Sequence, residues 1–392
     1  MLTQNPSLSC DIFCRVIDNF GDAGVCWRLA QQLVKEHHCA VRLIIDQWQA
    51  WAPLVGMPLD TEPAFPLLFA GVEIHLWQAW AMQQPAPVPA NLVIEAFACE
   101  LPNNTIQALQ TSGTPNVWVN LEYLSAEPWV DDYHRLCSTH PQNGLRKTFF
   151  FPGFTAQTGG LLREANIIQT QQHRRQSPQT SEAFWHRLGY TPPPIQALTV
   201  SLFAYGHPHL SRWLSHLCHS PQAIHLYIPA GRMLDAVQTA LNQTLPINTC
   251  IQKDALTLCA LPFLTQTQYD ALLAHCMLNG VRGEDSFIRA HWAGRSFFWQ
   301  IYPQEDNAHL PKLHAFLDRL TEHAPAPLAQ VIHNWHAAWN NAPGAPDILE
   351  AWDRFIEQYP TLTQHHSAWT EKCAQNSNLA QNLMLFYKQQ VQ

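Results

Sequence analysis

The sequence predicts an α/β protein with two similar domains, each built on an open, mainly parallel sheet. A first series of strand-like apolar runs alternates with helical segments up to residue 151. A polar stretch at residues 169–181 interrupts the pattern, and a second series begins at residue 197. Alternation of this kind is typical of parallel sheets covered by helices. The expected organisation is a first domain at 1–168, a linker at 169–190, a second domain at 191–360, and C-terminal helices at 361–392 that pack back on the first domain.

The first domain opens with a strand–helix–strand unit. An apolar strand at residues 10–16 leads through a glycine-containing turn to an amphipathic helix at 25–36 and a strand at 40–45. Such a unit normally forms a right-handed parallel crossover. The further strands of this domain are expected at residues 72–76, 92–95, 117–121 and 147–151.

The second domain repeats this alternation. Its strands are expected at residues 197–203, 223–228, 256–261, 277–281 and 296–301. From residue 309 onward the pattern is helical, and the last helix, at 379–389, is expected to return to the first domain. The stretch at 169–181 has almost no apolar residues, so a flexible connection is expected there.

Composition indicates a folded, soluble protein. Of the 392 residues, 47% are hydrophobic and 13% are charged, and the formal net charge is −8. A negative balance argues against general nucleic-acid binding. No apolar stretch reaches the ~18 residues of a membrane span, and the N-terminus has no signal-peptide pattern. We expect a cytoplasmic protein with no nucleic-acid partner and no membrane association.

Several motifs of metal and nucleotide chemistry are missing from the sequence. The 11 cysteines show no paired spacing, which favours free thiols over a disulfide framework. The 21 histidines include no H-E-x-x-H pair, no Cys/His set has zinc spacing, and no D-x-D triplet occurs. A metal-independent protein is therefore expected. The P-loop pattern and the G-x-S-x-G hydrolase pattern are absent too.

The turn after the first strand, Asp18-Asn19-Phe20-Gly21-Asp22-Ala23-Gly24, lies where open α/β sheets bind ligands. It lacks the dinucleotide-binding pattern G-x-G-x-x-G. Two interpretations of its aspartates stay open. In one, Asp18 forms an Asx turn and Asp22 caps the helix. In the other, one aspartate is a general base at a glycine-lined opening, and both interpretations can hold, one for each carboxylate.

Short segments after two strands of the second domain carry side chains that suit a nucleotide. Phe203 ends the first strand and Tyr205 lies just past it, and Phe263 and Gln266 follow a later strand. Ordinary ring packing is the simpler interpretation of each aromatic residue. The functional interpretation is a base stacked on Phe263 and read by Gln266, with a phosphate bound by Tyr205.

The segment from Met277 to Asp306 predicts a strand, a turn, a helix and a second strand. Asp285 or Ser286 is the expected N-cap, because a short side-chain oxygen can accept from backbone N–H groups. A helix start just past a strand also suits a phosphate. Two carboxylates would repel it, so Glu284 is expected to face sugar hydroxyls or a cation formed during reaction. A well-capped helix with a solvated acidic start is the alternative.

Two runs of sequence are specific enough to suggest a family. DIFCRVIDNFGDAGVCWRLAQQL (residues 11–33) and VRGEDSFIRAHWAG (residues 281–294), the latter followed by IYPQED, resemble the EarP family of bacterial protein-arginine rhamnosyltransferases. FFPGFTAQTGGLLRE and SLFAYG are similar too, with small departures at Ala23 and Gly206. The resembling segments span nearly the whole chain, except for residues 169–181.

The resemblance implies a GT-B glycosyltransferase fold, in which two Rossmann-like domains face a cleft and a C-terminal helix returns to the N-terminal domain. It implies an inverting transfer of L-rhamnose from dTDP-β-L-rhamnose to an arginine side chain of elongation factor P. That modification would activate the factor for rescue of polyproline-stalled ribosomes. No metal or other cofactor is implied.

The same resemblance assigns roles to individual residues. Asp22 is implied as the general base, with Glu284 as its helper and Asp18 in the same turn. The implied contacts of the dTDP-rhamnose donor are Asn19, Phe20, Gly21, Phe203, Tyr205, Phe263, Gln266, Arg282, Glu284, Asp285 and Ser286.

Two other functions are compatible with the same residues. A different GT-B enzyme would use another nucleotide sugar and a small-molecule acceptor or lipid-linked acceptor. A basic or amphipathic patch in the first domain would favour it, and that half of the chain is poor in lysine. A non-enzymatic α/β protein that binds nucleotides would show ligand affinity without turnover.

Overall fold

The chain forms two structural units, each organised around one sheet. The computed structural model describes residues 8–17, 20–140 and 144–391. Unit 1 comprises Met1–Ala165 together with Gln375–Gln392, and unit 2 comprises Asn166–Ala374. None of the helices in the described ranges combines the length and apolarity that spanning a membrane requires.

Unit 1 contains an eight-stranded sheet with the order β3-β4-β2-β1-β5-β6-β8-β7. Its strands are β1 (Ser9–Cys14), β2 (Ala40–Ile45), β3 (Leu67–Phe69), β4 (Val72–Leu76), β5 (Leu92–Ala96), β6 (Val117–Leu121), β7 (Cys137–Thr139) and β8 (Arg146–Phe150). Its helices between the strands are α1 (Phe20–His37), α2 (Trp48–Val55), α3 (Trp77–Met82), α4 (Asn103–Thr111) and α5 (Trp129–Tyr133). β1 pairs in parallel with β2 on one side and β5 on the other.

Unit 2 contains a six-stranded sheet with the order β11-β12-β10-β9-β13-β14. Its strands are β9 (Leu198–Leu202), β10 (Ile224–Pro229), β11 (Thr249–Lys253), β12 (Leu256–Leu261), β13 (Leu278–Arg282) and β14 (Ser296–Gln300). Its helices are α6 (Ile167–Gln176), α7 (Pro178–Arg187), α8 (Leu210–Cys218), α9 (Arg232–Leu241), α10 (Gln266–His275), α11 (Asp285–Ala293), a 3₁₀ turn (Glu305–Asn307), α12 (Leu310–Thr321), α13 (Ala326–Trp339), α14 (Ile348–Glu357) and α15 (Tyr359–Ala374).

Every strand predicted from an apolar run is present, with small shifts at its ends. The strands that the sequence did not reveal are β3, β7 and β11. Each is antiparallel to its neighbour and lies at a sheet edge. Edge strands are half solvated and lack the continuous apolar run of a buried parallel strand, so their pattern is weak.

The prediction of a linker at residues 169–190 was wrong. The segment forms α6 and α7, which pack in unit 2 with α6 against α10 and α11. Phe184 and Trp185 are buried, and the amide of Gln171 is buried and donates to the carbonyl of Asp270 at 2.8 Å. Glutamine and arginine are good helix formers, so a few buried anchors are enough to fix helices with a polar sequence.

The C-terminal end returns to unit 1 later than expected. α15 belongs to unit 2, where it packs on β14 and α11, so the expected return of residues 361–392 begins only after Ala374. α16 (Leu379–Val391) then packs on α1. It contributes Leu379, Leu383 and Phe386 to the hydrophobic core of unit 1.

One pair of cysteines contradicts the expectation of free thiols throughout. Cys250 and Cys259 form a disulfide between residues directly opposite each other in β11 and β12. Their Cα atoms are 4.1 Å apart because the antiparallel hairpin brings the two positions together. The pairing depends on β11, which the sequence pattern did not predict. The other nine cysteines are free.

Candidate active site

Asp22 lies in the first turn of α1, at the carboxyl end of β1. The helix begins at Phe20, earlier than predicted, so Asp22 is a helical residue and not a residue of the preceding turn. Its side chain is only 2% exposed, and Oδ2 accepts a hydrogen bond from the backbone N–H of Ile17 at 2.8 Å. A carboxylate in the first turn is stabilised by the positive end of the helix dipole.

The structure describes two of the other four residues predicted in this turn. Asp18 and Asn19 lie outside the described residues. Phe20 is half-buried and packs against the core cluster that contains Ala23 and Phe97. Gly21 is half-buried in the first turn of α1.

In unit 2, Arg282 brings two of the predicted aromatic residues together. Its guanidinium carbon lies 4.4 Å from the ring centroid of Phe203 and 4.7 Å from that of Tyr205. β9 and β13 are neighbours in the sheet, so Phe203, just past β9, and Arg282, at the end of β13, share one edge. A guanidinium over two aromatic faces is held by cation–π attraction. This edge, where the parallel strands of unit 2 end, is called the carboxyl edge below.

Two residues that the sequence reasoning missed hold Tyr205 in place. Gln300, at the end of β14, accepts from the backbone N–H of Tyr205 at 2.7 Å and donates to the carbonyl of Gly206 at 3.2 Å. Tyr302 stands edge-on to Tyr205 with 5.5 Å between ring centroids, and it is 48% exposed. The IYPQED run contains Tyr302 and would have been the signal.

The start of α11 differs from its prediction. Glu284, not Asp285 or Ser286, occupies the N-cap position, and its side chain makes no capping hydrogen bond within the described residues. The Ser286 hydroxyl instead accepts from the backbone N–H of Arg282 at 3.0 Å and donates to the carbonyl of Arg282. Ser286 therefore ties the strand to the helix through a tight turn at Gly283, which has a φ of 58°. The first N–H groups of a helix have no acceptor within it, so this end can receive an anion.

Gln266 and Asp285 meet at the same edge. The amide of Gln266 donates to Oδ2 of Asp285 at 3.3 Å, which joins the start of α10 to the start of α11. Gln266 itself is buried directly after Thr265, whose side chain forms a capping box with Gln268. Phe263, in the loop before this cap, is 37% exposed.

Tyr269 is a further residue that the sequence did not single out. It lies on α10, and its ring centroid is 5.4 Å from that of Phe203. Burial raises the pKa of Tyr269 well above its ordinary value. Its buried, neutral ring packs against that of Phe203.

No group of three or more His, Cys, Asp or Glu side chains that could hold a metal ion occurs within the described ranges. The polar groups that meet at the carboxyl edge of unit 2 are instead a guanidinium, an amide, two carboxylates and a helix start. Cationic and N–H groups of this kind suit a phosphate-bearing ligand.

Comparison with known proteins points to one family. The family described as "Elongation-Factor P (EF-P) rhamnosyltransferase EarP" matches residues 10–388. The protein-arginine rhamnosyltransferase of Pseudomonas putida KT2440 is 43% identical over 385 residues, covering 96% of this chain and 98% of its own. The enzyme of the same name from Pseudomonas aeruginosa PAO1 is 43% identical over 382 residues, covering 97% and 98%.

Solved structures agree with this result. One described as "Structural basis for EarP-mediated arginine glycosylation of translation elongation factor EF-P" matches with a TM-score of 0.68 and 30% identity, covering 97% of this chain and 99% of that one. An α-glucosyltransferase in complex with UDP and DNA matches at a TM-score of 0.50 and 9% identity, which is a likeness of fold alone. The predicted GT-B class with two Rossmann-like domains is confirmed. The chain belongs to the EarP family of elongation factor P rhamnosyltransferases.

Proposed function

We propose that this enzyme transfers L-rhamnose from dTDP-β-L-rhamnose to an arginine side chain of elongation factor P, with inversion at the sugar carbon. In the cytoplasm this would activate the factor for rescue of polyproline-stalled ribosomes. Two sets of observations support the proposal. The chain matches this family from residue 10 to residue 388. Its predicted donor residues Phe203, Tyr205 and Arg282 meet at one sheet edge.

The observation that carries the donor assignment is the arrangement around Arg282. Its guanidinium, held over Phe203 and Tyr205, is a fixed positive charge beside the start of α11. Such a pair of groups can hold a diphosphate and stabilise its growing charge as the glycosidic bond breaks. The exposed ring of Phe263 offers a surface for the thymine, and Gln266, buried beside it at the start of α10, is proposed to bond the polar edge of the base.

The acceptor chemistry assigns the base role to Asp22. A guanidinium stays protonated, with a pKa above ~12, and is a poor nucleophile. A buried carboxylate can hold it by a charge-assisted hydrogen bond and take its proton as the C–N bond forms. Asp22 is buried and is already oriented by the N–H of Ile17, so its carboxylate needs little reorganisation.

Glu284 is proposed as the helper near the reacting sugar. It occupies the N-cap position of α11 without capping the helix by its side chain. Its backbone carbonyl accepts from the N–H of Ile288 at 3.0 Å, which fixes the turn that carries it. A carboxylate there can stabilise the positive charge that develops on the sugar ring in the transition state.

The decisive experiment is the intact mass of elongation factor P after incubation with this enzyme and dTDP-β-L-rhamnose. We expect the mass to increase by one rhamnosyl group, on an arginine located by peptide fragmentation, with an α-linked sugar in the NMR spectrum. A β-linked product would overturn inversion. Transfer from another nucleotide sugar at an equal rate would overturn the assignment of dTDP-β-L-rhamnose as the donor. Donor binding without any mass increase would point to a binding protein.

A further inference from the structure

Residues 169–181, which the family resemblance left without a role, lie in α6 and α7, and these two helices bring three arginines near Arg295 in unit 2. Arg174 and Arg175 lie in the last turn of α6, and Arg187 is the last residue of α7. Arg295 lies between the end of α11 and the start of β14. α6 packs on α10 and α11, which brings these positions to one region. We call these four residues the arginine cluster.

Neutral acceptors hold three of the four members of this cluster. Arg175 donates from Nη1 to the carbonyl of Ala293, at the end of α11. The Arg295 Nε donates to the carbonyl of Ala274 near the end of α10 at 3.0 Å, and the Arg174 Nη1 donates to the side chain of Gln171 at 2.9 Å. Carbonyls at a helix C-terminus carry partial negative charge, which explains how the first two arginines are positioned. Each bond uses one of the five N–H donors of a guanidinium.

The carboxylate of Asp270 attracts Arg174 and raises its pKa, but it forms no ion pair with the described arginines of the cluster. Within the described ranges, none of its four arginines forms an ion pair with a carboxylate. The nearby carboxylate of Asp270 is bound by Arg289, with Nη2 and Oδ2 2.7 Å apart. Asp270 is shared with Arg289, so it balances the crowded positive charges only in part, and a bound anion would relieve the remaining repulsion.

The electrostatics of the region reflect this crowding. Burial lowers the pKa of Arg174, Arg175 and Arg295. Neighbouring arginines lower the pKa of Arg174 and Arg175 further, while Asp270 raises that of Arg174. Burial, together with Arg174, Arg295 and Arg187, lowers the pKa of His275 to about 4. His275 is therefore neutral at pH 7, and its buried Nε2 has no hydrogen-bond partner in the described part of the chain.

The cluster is separate from the donor residues of the same unit. Arg295 precedes β14 and His275 precedes β13, so they mark the amino edge of the sheet. Phe203, Arg282 and Gln300 mark the opposite, carboxyl edge. The two ends of parallel strands are opposite ends of a sheet. Anion binding at the cluster is thus not part of donor binding.

We propose that the arginine cluster is a docking surface for an acidic, Asp/Glu-rich segment of a protein partner. Guanidinium forks match planar carboxylates bidentately, and α6 and α7 contain no lysine. The exposed large hydrophobic side chains of the described residues include none from α6 or α7, so the surface offers no ring on which a nucleic-acid base could stack. The net charge of −8 also disfavours a long phosphate chain more than a short acidic segment.

The test uses the full-length enzyme, a short fluorescein-labelled poly-glutamate peptide, and the double variant Arg174→Gln/Arg187→Gln. These two arginines do not bind a helix C-terminus, so the fold is retained. We expect fluorescence anisotropy to show peptide binding that weakens with salt and falls on the order of tenfold in the double variant. The control is Arg354→Gln, because Arg354 is an exposed arginine of the same unit that is paired with Glu357 at 3.4 Å. It should bind the peptide like the parent.

Thermal melts separate docking from a structural role. Removal of unpaired like charges should leave the melting temperature unchanged or raise it, whereas a structural role would lower it. An RNA oligonucleotide of matched charge is the competing probe. Equal peptide binding by the parent and the double variant would overturn the proposal. So would an RNA that binds more tightly than the peptide and loses affinity in the double variant.

Discussion

At the residue scale, Asp22 is the side chain on which the proposed chemistry depends most. Asn has nearly the same size and keeps an oxygen that can accept from the N–H of Ile17. Asp22→Asn should therefore fold and bind dTDP like the parent. Its single-turnover rate of rhamnosylation should fall on the order of 10²–10⁴-fold, the usual scale for loss of a general base. Glu284→Gln should lower the rate as well, with α11 intact.

Melts and dTDP calorimetry on the same samples give the control for this prediction. A parent-like turnover of Asp22→Asn would transfer the base role to Asp18 in the same segment. A loss of folding or of dTDP binding would show instead that Asp22 acts mainly through its bond to the backbone of Ile17.

Phe263 tests the location of the base. Its ring is 37% exposed in the loop before α10. If thymine stacks on it, Phe263→Ala should weaken dTDP binding by about 1–3 kcal/mol, the scale of base–aromatic stacking. The matched control is Ile195→Ala, because Ile195 is a fully exposed apolar residue of the same unit. Unchanged calorimetric affinity in the Phe263 variant would exclude this ring from the donor site.

The sequence singles out candidate site residues that carry distinctive chemistry and misses the residues that hold them. Arg282 and Tyr205 stand in short motifs after strands, so their meeting at one edge follows from parallel topology. Gln300 and Tyr269 were not predicted, because a buried glutamine or tyrosine looks the same in sequence whether it supports a site or a core. The side-chain direction of Ser286, toward Arg282 and not toward the helix, also depends on the local turn.

At the element scale, the end of α11 depends on Gly294. Its φ of 61° is in the left-handed region, and an added Cβ would lie 2.6 Å from Nη1 of Arg175. Gly294→Ala should lower the free energy of unfolding by about 1 kcal/mol or more, since Ala is strained at positive φ and disturbs the arginine that binds this helix end. Gly113→Ala is the control, because it meets no atom within 4 Å. Equal urea midpoints for both variants would contradict this role.

The start of α11 makes a prediction about metal. If its N–H groups and the Arg282 guanidinium neutralise the leaving diphosphate, no divalent cation is needed for its departure. Single-turnover rhamnosylation should then keep its rate in EDTA. The comparison is the same reaction with added Mg²⁺ or Mn²⁺. A rate lost in EDTA and restored by either ion would show that the helix start and Arg282 are insufficient.

At the scale of the whole molecule, sequence patterns predict the buried centre of each unit better than its margins. β5 and β6 are buried at every position, and each begins with three consecutive apolar residues. β7 is exposed at every position, and α6 buries only Ile167 and Gln171, so neither leaves a periodic apolar signal. The disulfide in β11 and β12 was hidden for the same reason, since it depends on an edge pairing. An apolar sequence pattern arises where residues are buried, and few residues are buried at the edges of each unit.

The buried histidines of unit 2 make its stability depend on pH. His291, His336 and His366 are fully buried, and His336 accepts from the N–H of Trp299 at 3.2 Å, which requires a neutral ring. Burial lowers the pKa of His291 and His336 to about 4 and that of His366 well below its ordinary value. An unfolded histidine titrates near ~6.5, so below that pH the unfolded chain binds more protons than the folded one. Stability should be complete above pH ~6.5 and decline as the pH falls toward ~4.

His366→Phe isolates one of these contributions. Neither ring nitrogen of His366 has a hydrogen-bond partner among the described residues, and the ring stacks on Phe297 with 4.8 Å between centroids, so a phenyl ring can occupy the same place. Between pH 7.5 and pH 5 the free energy of unfolding should fall less in the variant than in the parent. The difference should grow by up to about 1.4 kcal/mol for each pH unit below ~6.5. Denaturant unfolding at several pH values measures this difference. His323→Gln, at an exposed histidine, should keep the parent's slope. Parallel curves for His366→Phe and the parent would show that this histidine does not resist protonation in the fold.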